Sequence, residues 1–219
     1  MPSADPFARL IPDARAFLER LTADNSRDWF MVHKPEYDAR LKHPATLLLD
    51  QIAHDIGRQS GRKVTPKLFR ANRDVRFSRD KTPYHTHLHM LWSVRGDGDQ
   101  APGLFFGISP DYVTLGGGLM GFDKPGLERW RKAVDGPFGD RMASLLDSLE
   151  QQGFSRRAPD LKRVPAPYPP DHPNGDLLRH KGLTVWRELP GDMWPSPVSA
   201  LHQTYDSLAP LFDLLGERL

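Results

Sequence analysis

The chain has no cysteine among its 219 residues, which excludes disulfide bonds, thiol chemistry and cysteine-ligated zinc. It also has no apolar stretch that approaches the roughly 20 residues needed for a membrane-spanning helix. The first residues, MPSADPFARLIPDARAFLERL, include acids and lack the apolar run of a signal peptide. We therefore expect a cytoplasmic protein that has no membrane partner.

A large excess of either charge is missing as well. The chain has 30 Lys and Arg against 28 Asp and Glu, for a net charge of +2. This balance does not indicate a general binder of polyanions, so nucleic acid is not an expected partner. With 38% hydrophobic and 10% aromatic residues, the composition is globular and suits one substantial domain.

Positive charge is nevertheless concentrated in one stretch of the chain. Between Arg62 and Lys81 there are eight Lys or Arg and two Asp, a local net charge of +6. A smaller basic cluster, RRAPDLKR at 156–163, has four bases and one acid. A local concentration of cations suits a compact anion better than a long duplex.

The hydrophobic pattern predicts an α+β fold in a single domain spanning residues 1–219. Helices are expected in residues 1–61, and the basic motif and a central antiparallel β-meander in residues 62–120. The strands of the meander are expected at 86–94, 103–109 and 112–118. Residues 121–219 predict further helices at 125–134, 138–152 and 197–215, a proline-rich loop, and one late strand at 183–189. This order favours α+β over alternating βαβ units.

Guanidinium groups form planar forks that match phosphate and carboxylate oxygens, so arginines that converge can form an anion site. The candidate anion-binding residues are Arg70, Arg73, Arg76 and Lys81. Asp74 and Asp80 would orient these cations. The pattern leaves open the alternative that the two carboxylates neutralise the arginines in a structural network of ion pairs.

His85, His87 and His89 follow at every second position. On a strand all three imidazoles point to one face, at a spacing that allows two of them to ligate one metal. Asp171 is a further candidate ligand. The apolar residues between the histidines alternate regularly, so a polar strand face by itself also explains the pattern.

The glycine-rich segment GGGLMG at 116–121 fits the pattern G-x-G-x-x-G. The dinucleotide fingerprint requires a helix that opens inside the motif, whereas here FDKPG follows and Pro125 suits the next helix start. We expect no nicotinamide or flavin cofactor. The glycines instead predict a place where the backbone turns or comes close to another segment.

The stretch FRANRDVRFSRDKTPYHTH (69–87) resembles the signature of a conserved-hypothetical family of bacterial and fungal proteins, domain of unknown function 2461. NSRDWFMVHKPEY (25–37), the glycines at 116–118 and LKRVPAPYPPDHPNGDLLRHKGLTVWREL (161–189) resemble further parts of the family pattern. The similarity therefore spans nearly the whole chain and implies one α+β domain. The family brings no established activity.

Residue by residue, the resemblance points to Asn25, Arg27, Trp29, His33, Lys34, Arg70, Arg73, Asp74, Arg76, Phe77, Ser78, Asp80, Lys81, Pro83, Tyr84, His87, Asp171, His172 and Lys181. One position departs from the family pattern, because His85 stands where the family usually carries lysine. A triad of histidines is therefore not a family feature, which weakens the metal hypothesis. A cationic residue at that position agrees with an anion site.

The sequence thus predicts a cationic pocket that binds a small phosphate- or carboxylate-bearing molecule, and it leaves open whether the protein is an enzyme. In an enzyme, His87 with His33 or His172 would transfer protons. One alternative is an interaction protein whose basic face docks an acidic partner or nucleic acid. A second is a metal-dependent hydrolase that uses the strand carrying His85, His87 and His89. The sequence does not specify an oligomeric state.

Overall fold

The computed structural model of the chain describes residues 5–96, 98 and 100–218, without the side chain of residue 218. The helices are α1 (Leu10–Ala23), α2 (Arg27–Tyr37), α3 (His43–Ser60), α4 (Lys124–Val134), α5 (Pro137–Gln151), α6 (Gly175–Leu178) and α7 (Pro197–Arg218). The strands are β1 (Val64–Leu68), β2 (Leu88–Val94), β3 (Gly103–Ile108), β4 (Val113–Leu119), β5 (Ser155–Arg156) and β6 (Leu183–Glu188). A π-helical turn (Asp38–Lys42) joins α2 to α3, and a short 3-10 turn (Gly191–Met193) precedes α7.

The strands form one six-stranded antiparallel sheet in the order β1-β2-β3-β4-β6-β5. Strands β2, β3 and β4 are neighbours in both sequence and sheet, which confirms the predicted meander. Strand β6 is the predicted late strand, and its register with β5 pairs Ser155 with Trp186 and Arg156 with Val185. Helices and strands together confirm the predicted α+β fold.

Strand β1 is a feature that the sequence pattern did not indicate as a strand. It contains Pro66 and Lys67, and both residue types are unfavourable in the middle of a sheet. In the structure β1 is an edge strand, where a proline without N–H and a charged side chain are tolerated. The position of β1 in the sheet, and not its own composition, therefore allows this segment to be a strand.

The N-terminal helices follow from local chemistry. Helix α2 begins after Ser26, whose side-chain oxygen accepts a hydrogen bond from the Trp29 N–H at 3.2 Å. Between α2 and α3 the His43 N–H bonds to the Asp38 carbonyl five residues back, which defines the π-helical turn. Pro44 follows directly in this continuous helical run, where its missing N–H removes one helical bond next to the π-helical turn.

Two compact units share the chain. The first consists of Met1–Trp92, Phe105–Leu115 and Glu188–Gln203, and the second of Ser93–Leu104, Gly116–Arg187 and Thr204–Leu219. In the first unit the fully buried Trp92 donates from its indole N–H to the Leu49 carbonyl at 2.8 Å. In the second unit the buried Trp130 donates to the Leu177 carbonyl at 3.0 Å. Each unit draws on segments that are distant in the chain. The single domain over residues 1–219, with its parts at 1–61, 62–120 and 121–219, stays a prediction.

The glycine run lies in β4, at positions where the backbone of β6 comes very close. A Cβ atom on Gly116 would lie 2.3 Å from the Val185 carbonyl oxygen, and one on Gly118 would lie 2.1 Å from that of Leu183. Gly118 also has a φ of +129°, a conformation that L side chains rarely adopt. The glycines thus let β4 run close to β6, as a close backbone approach requires.

None of the helices in the described part of the chain is both long enough and apolar enough to cross a membrane.

Candidate functional site

The central motif forms the end of the hairpin between β1 and β2, inside the first unit. Beyond the ends of β1 and β2 the two segments of the hairpin stay paired through their backbones. The Phe69 N–H bonds to the His89 carbonyl at 3.0 Å, and the Arg73 N–H bonds to the Pro83 carbonyl at 2.9 Å. Asn72 and Tyr84 form an isolated antiparallel bridge. Residues 73–83 are therefore the tip of the hairpin, and we call them the arginine loop.

Ion pairs within the arginine loop use most of its charge. Arg73 contacts Asp80 with a nitrogen–oxygen distance of 2.5 Å. Arg76 makes a bidentate contact with Asp74, at 3.0 Å from Nε to Oδ1 and 2.7 Å from Nη2 to Oδ2. Lys81 donates to the Val75 carbonyl at 3.0 Å. Both predicted orienting carboxylates thus pair with arginines. These contacts lie within the arginine loop itself, so they engage Arg73, Arg76 and Lys81 with the loop and not with a ligand.

The two carboxylates are held ionised by these contacts. The Thr82 backbone N–H, the Thr82 hydroxyl and Arg73 lower the pKa of Asp80 to about 2. The bonds from the side chain and backbone of Arg76 lower the pKa of Asp74. Both carboxylates are exposed, so water and salt screen these ion pairs, and the pairs add little to the stability of the fold. The loop also presents Phe77, which is 96% exposed with the Arg76 guanidinium 5.9 Å from its ring centroid.

The base of the hairpin is anchored at the start of helix α2. The residues that form this anchor come from the segments at 25–37 and 69–87, which both resemble the family pattern. Asn25 donates from its amide to the Tyr84 carbonyl at 3.0 Å, and its oxygen accepts from the Tyr84 N–H at 3.1 Å. The Tyr84 ring is buried and stacks on Phe30 with 3.9 Å between centroids. The NSRDWF segment and the FRANRD–PYHTH segment are therefore one structural feature, a proximity that sequence alone did not show.

Where the hairpin meets the helices there is a cleft of about 380 Å³, which we call the α2–β1 cleft. It is lined by Phe30, Lys34, Tyr37, Asp38, Lys42, Thr46, Leu68, Phe69, Arg70, Ala71 and Asn72. Of the four predicted anion-binding residues, Arg70 alone is in this lining. Sequence reasoning missed Lys42, Tyr37 and Asn72. The motif pattern included Lys34, but an exposed lysine such as Lys42 on a helical turn carries no signal of its own.

The charges of the α2–β1 cleft are three cations and one carboxylate. Lys34 pairs with Asp38 one helical turn away. Among the described residues, neither Lys42 nor Arg70 makes a side-chain hydrogen bond or ion pair, and both are exposed. Burial and the neighbouring Asp38 raise the pKa of Tyr37 to about 12, so this phenol stays neutral and is a hydrogen-bond donor. The cleft therefore offers two unpaired cations beside a neutral aromatic wall.

His85, His87 and His89 form a stacked row on the opposite side of the hairpin strand from Tyr84, and we call them the histidine row. Ring centroids are 4.7 Å apart between His85 and His87 and 3.6 Å apart between His87 and His89. His89 Nε2 lies 2.8 Å from the Tyr112 hydroxyl, and the Phe105 ring meets His89 edge-on at 4.9 Å. The row is a packed ladder of rings.

Burial keeps the histidine row neutral. Burial and the charge of His85 lower the pKa of His87 to about 4, and burial with His87 and His85 lowers that of His89 to about 3. For His85 the pKa is lowered by burial and then by Arg73 and Arg70. The His87 and His89 rings meet face to face, so the lone pairs of these two rings do not converge on one point. In the described residues no group of three His, Asp or Glu side chains is placed to hold a metal ion, including Asp171.

The other candidate proton-transfer residues lie in different settings. His33 Nδ1 donates to the Trp29 carbonyl at 2.8 Å while its ring stacks on Trp29 at 3.9 Å. In the second unit, His172 Nδ1 accepts from the Asn174 N–H at 3.0 Å, so Nε2 carries the proton and donates to Asp135 at 3.0 Å. Both nitrogens of His172 are thus occupied, and the ring serves to fix its loop.

Comparison with curated proteins gives no match. The conserved-hypothetical family model DUF2461 matches residues 13–214, which include the hairpin, the α2–β1 cleft and the proline-rich loop. The resemblance found in the sequence motifs is thereby confirmed, and the chain belongs to the DUF2461 family of conserved hypothetical proteins.

Proposed function

We propose that the protein binds a small phosphate- or carboxylate-bearing molecule in the α2–β1 cleft. The observation that carries this proposal is the pair Lys42 and Arg70, two cations that line one cleft and make no side-chain hydrogen bond or ion pair within the described residues. An exposed arginine fork and a lysine that line the same cleft can both contact one anionic group. This moves the predicted pocket from the arginine loop to the base of the hairpin.

The cleft also suggests what the rest of the ligand is like. A volume of about 380 Å³ lies in the range of small-molecule sites. Phe30, Tyr37 and Phe69 supply apolar and aromatic wall, and Asn72 and Thr46 supply polar groups. The ligand class is therefore a small anion with a ring or short apolar body. Among the described lining residues none is a histidine, so the proposal is one of binding and includes no proton-transfer step.

The test is a thermal-shift screen of phosphorylated metabolites and dicarboxylates, followed by calorimetric titration of the best probe. A probe at 100 times its Kd adds about 2.7 kcal/mol to the stability of a two-state protein, which moves the melting temperature by several degrees. Replacing both unpaired cations, Lys42→Ala with Arg70→Ala, is expected to weaken binding at least tenfold. A matched control, Arg76→Ala with Arg79→Ala, removes two positive charges from the arginine loop and is expected to leave the affinity unchanged.

The opposite result would favour a second function, the docking of an acidic partner by the arginine loop. The observation behind this alternative is the exposed Phe77 beside the Arg76 guanidinium at the hairpin tip. In that case the Arg76→Ala, Arg79→Ala variant would lose binding while the cleft variant kept it. The affinity would also fall steeply with added salt, because an exposed contact through many charges is screened.

A further inference from the structure

The smaller basic cluster at 156–163 contributes to a second cleft, which lies wholly in the second unit. We call it the proline-loop cleft; its volume is about 460 Å³. It is lined by Lys162, Arg163, Val164, Pro170, His172, Pro173, Gly175, Asp176 and Arg179. None of these residues is in the lining of the α2–β1 cleft, so the two clefts are separate candidate sites.

The wall of the proline-loop cleft is braced by a chain of hydrogen bonds. His172 is fixed through both ring nitrogens, to Asn174 N–H and to Asp135, at 3.0 Å each. The buried Asn174 side chain continues the chain by donating to Asp140 at 2.8 Å. Along the backbone, the His172 N–H bonds to the Pro169 carbonyl at 3.1 Å. A loop held this way is preorganised, so a ligand would not have to order it on binding.

The floor of the cleft is held from a second direction. Leu161 N–H bonds to the Arg179 carbonyl at 3.0 Å, which ties the basic cluster to the end of α6. A Cβ atom on Gly175 would lie 3.0 Å from a methyl carbon of Val164. The basic cluster and α6 are therefore in close contact at the base of the cleft.

The charges that face this cleft are three cations and one carboxylate. Arg179 pairs with Asp176 at 2.7 Å. Lys162 and Arg163 are exposed, and within the described part of the chain their side chains form no hydrogen bond or ion pair. Because these two adjacent cations keep no side-chain partner of their own in the described residues, both are available to contact a bound anion.

We propose that the proline-loop cleft is a second binding site, for a phosphate-bearing small molecule held by Lys162 and Arg163. A guanidinium fork and an ammonium group match the several oxygens and the double charge of a phosphate, while Arg179 stays paired with Asp176 in the wall of the cleft. The cleft is much larger than a bare ion and lies in the volume range of metabolite sites. This site goes beyond the proposed function, since it involves other residues in the other unit.

The test uses inorganic pyrophosphate as the probe and calorimetric titration at low salt as the readout. The starting protein carries Lys42→Ala and Arg70→Ala, so that binding in the α2–β1 cleft does not contribute. This protein is expected to bind pyrophosphate, and adding Lys162→Ala with Arg163→Ala is expected to weaken the affinity at least tenfold. The matched control adds Arg95→Ala with Lys124→Ala, which removes one arginine and one lysine of the same unit outside the cleft.

The control is expected to keep the affinity of the starting protein. Equal affinity in the Lys162→Ala, Arg163→Ala protein and the control would overturn the proposal, as would no binding in the starting protein. Folding is checked by the melting temperature, which surface changes of this kind leave intact. Failure of the α2–β1 proposal gives a different signature, because Lys42→Ala with Arg70→Ala would then bind every probe as the unmodified protein does.

Discussion

The arginine loop and the histidine row are neighbours in sequence, yet the fold treats their chemistry in opposite ways. In the arginine loop both carboxylates are exposed and pair with arginines within a few residues, as Asp74 does with Arg76. In the histidine row the imidazoles are half-buried, stacked 3.6 to 4.7 Å apart, and neutral. The carboxylates of the arginine loop are neutralised by nearby arginines, whereas the histidines of the row stay uncharged.

The comparison teaches that density of functional groups in a sequence is not itself a binding site. What a ligand needs is a group that the fold leaves without a partner beside a cavity. Arg70 meets this condition at the base of the hairpin, whereas Arg73 at its tip is engaged with Asp80. Arg70 is therefore available to bind a ligand, whereas Arg73, three residues further along the chain, is not.

The largest effect is expected at Tyr84, the residue that separates the two regions. Tyr84→Ala removes a buried ring that stacks on Phe30, and a cavity of this kind lowers the free energy of unfolding by about 3 kcal/mol or more. Urea unfolding followed by tryptophan fluorescence measures the loss. Tyr84→Phe keeps the ring and is expected to remain close to the unmodified protein; equal losses in both variants would contradict the anchoring role.

A smaller effect is expected from acid on the histidine row. The unfolded chain takes up protons below the ordinary histidine pKa of about 6.5, while folded His87 and His89 resist them down to about 4 and 3. The free energy of unfolding should therefore fall as pH decreases from 6.5 and level off below those lower values. Urea titrations between pH 7 and about 4.5 measure the slope, in a range where most carboxylates stay ionised.

Replacing a member of the row separates its contribution from the rest of the protein. In His87→Gln the slope of stability against pH is expected to be shallower, because one fewer proton distinguishes the unfolded from the folded state. His54→Gln, at an exposed position of α3, provides the control for changing a histidine. An unchanged slope in His87→Gln would show that folded His87 does not resist protonation.

The smallest effect is expected at the tip of the arginine loop. Arg76→Ala with Phe77→Ala removes an exposed ion pair and a ring that is 96% exposed. Pairs in water contribute little, so the melting temperature should not change measurably at low or high salt. Differential scanning calorimetry at two salt concentrations provides the check. A clear loss of stability would mean that the loop is a structural network after all.

Much of the fold was predictable because its signals are local. The alternation of β2 places Leu88, Met90 and Trp92 in the core, and the helical periodicity of α1 buries Phe17 and Leu21. Strand β1 was not predictable, since Pro66 and Lys67 are unfavourable in a strand and are tolerated here by the edge position. Only the sheet as a whole reveals which strand lies at the edge.

The candidate site was predictable in its region but not in its members. The concentration of arginines pointed to the hairpin, and Arg70 is in the lining of the α2–β1 cleft. Lys42 was missed because it lies far along the chain on a helical turn, where an exposed lysine is ordinary. His172 was expected to transfer protons, yet the structure engages both its nitrogens with Asn174 and Asp135.

By itself, the sequence determined the family, the α+β class, the helices and meander strands, and the local excess of positive charge. These properties depend on residue type and short-range spacing, which a linear pattern records. The tertiary structure alone decided which cations keep a local partner, which histidines lose their charge, and which segments meet at a cleft. Those properties depend on distance and burial between residues far apart in the chain, because pairing and desolvation act through space.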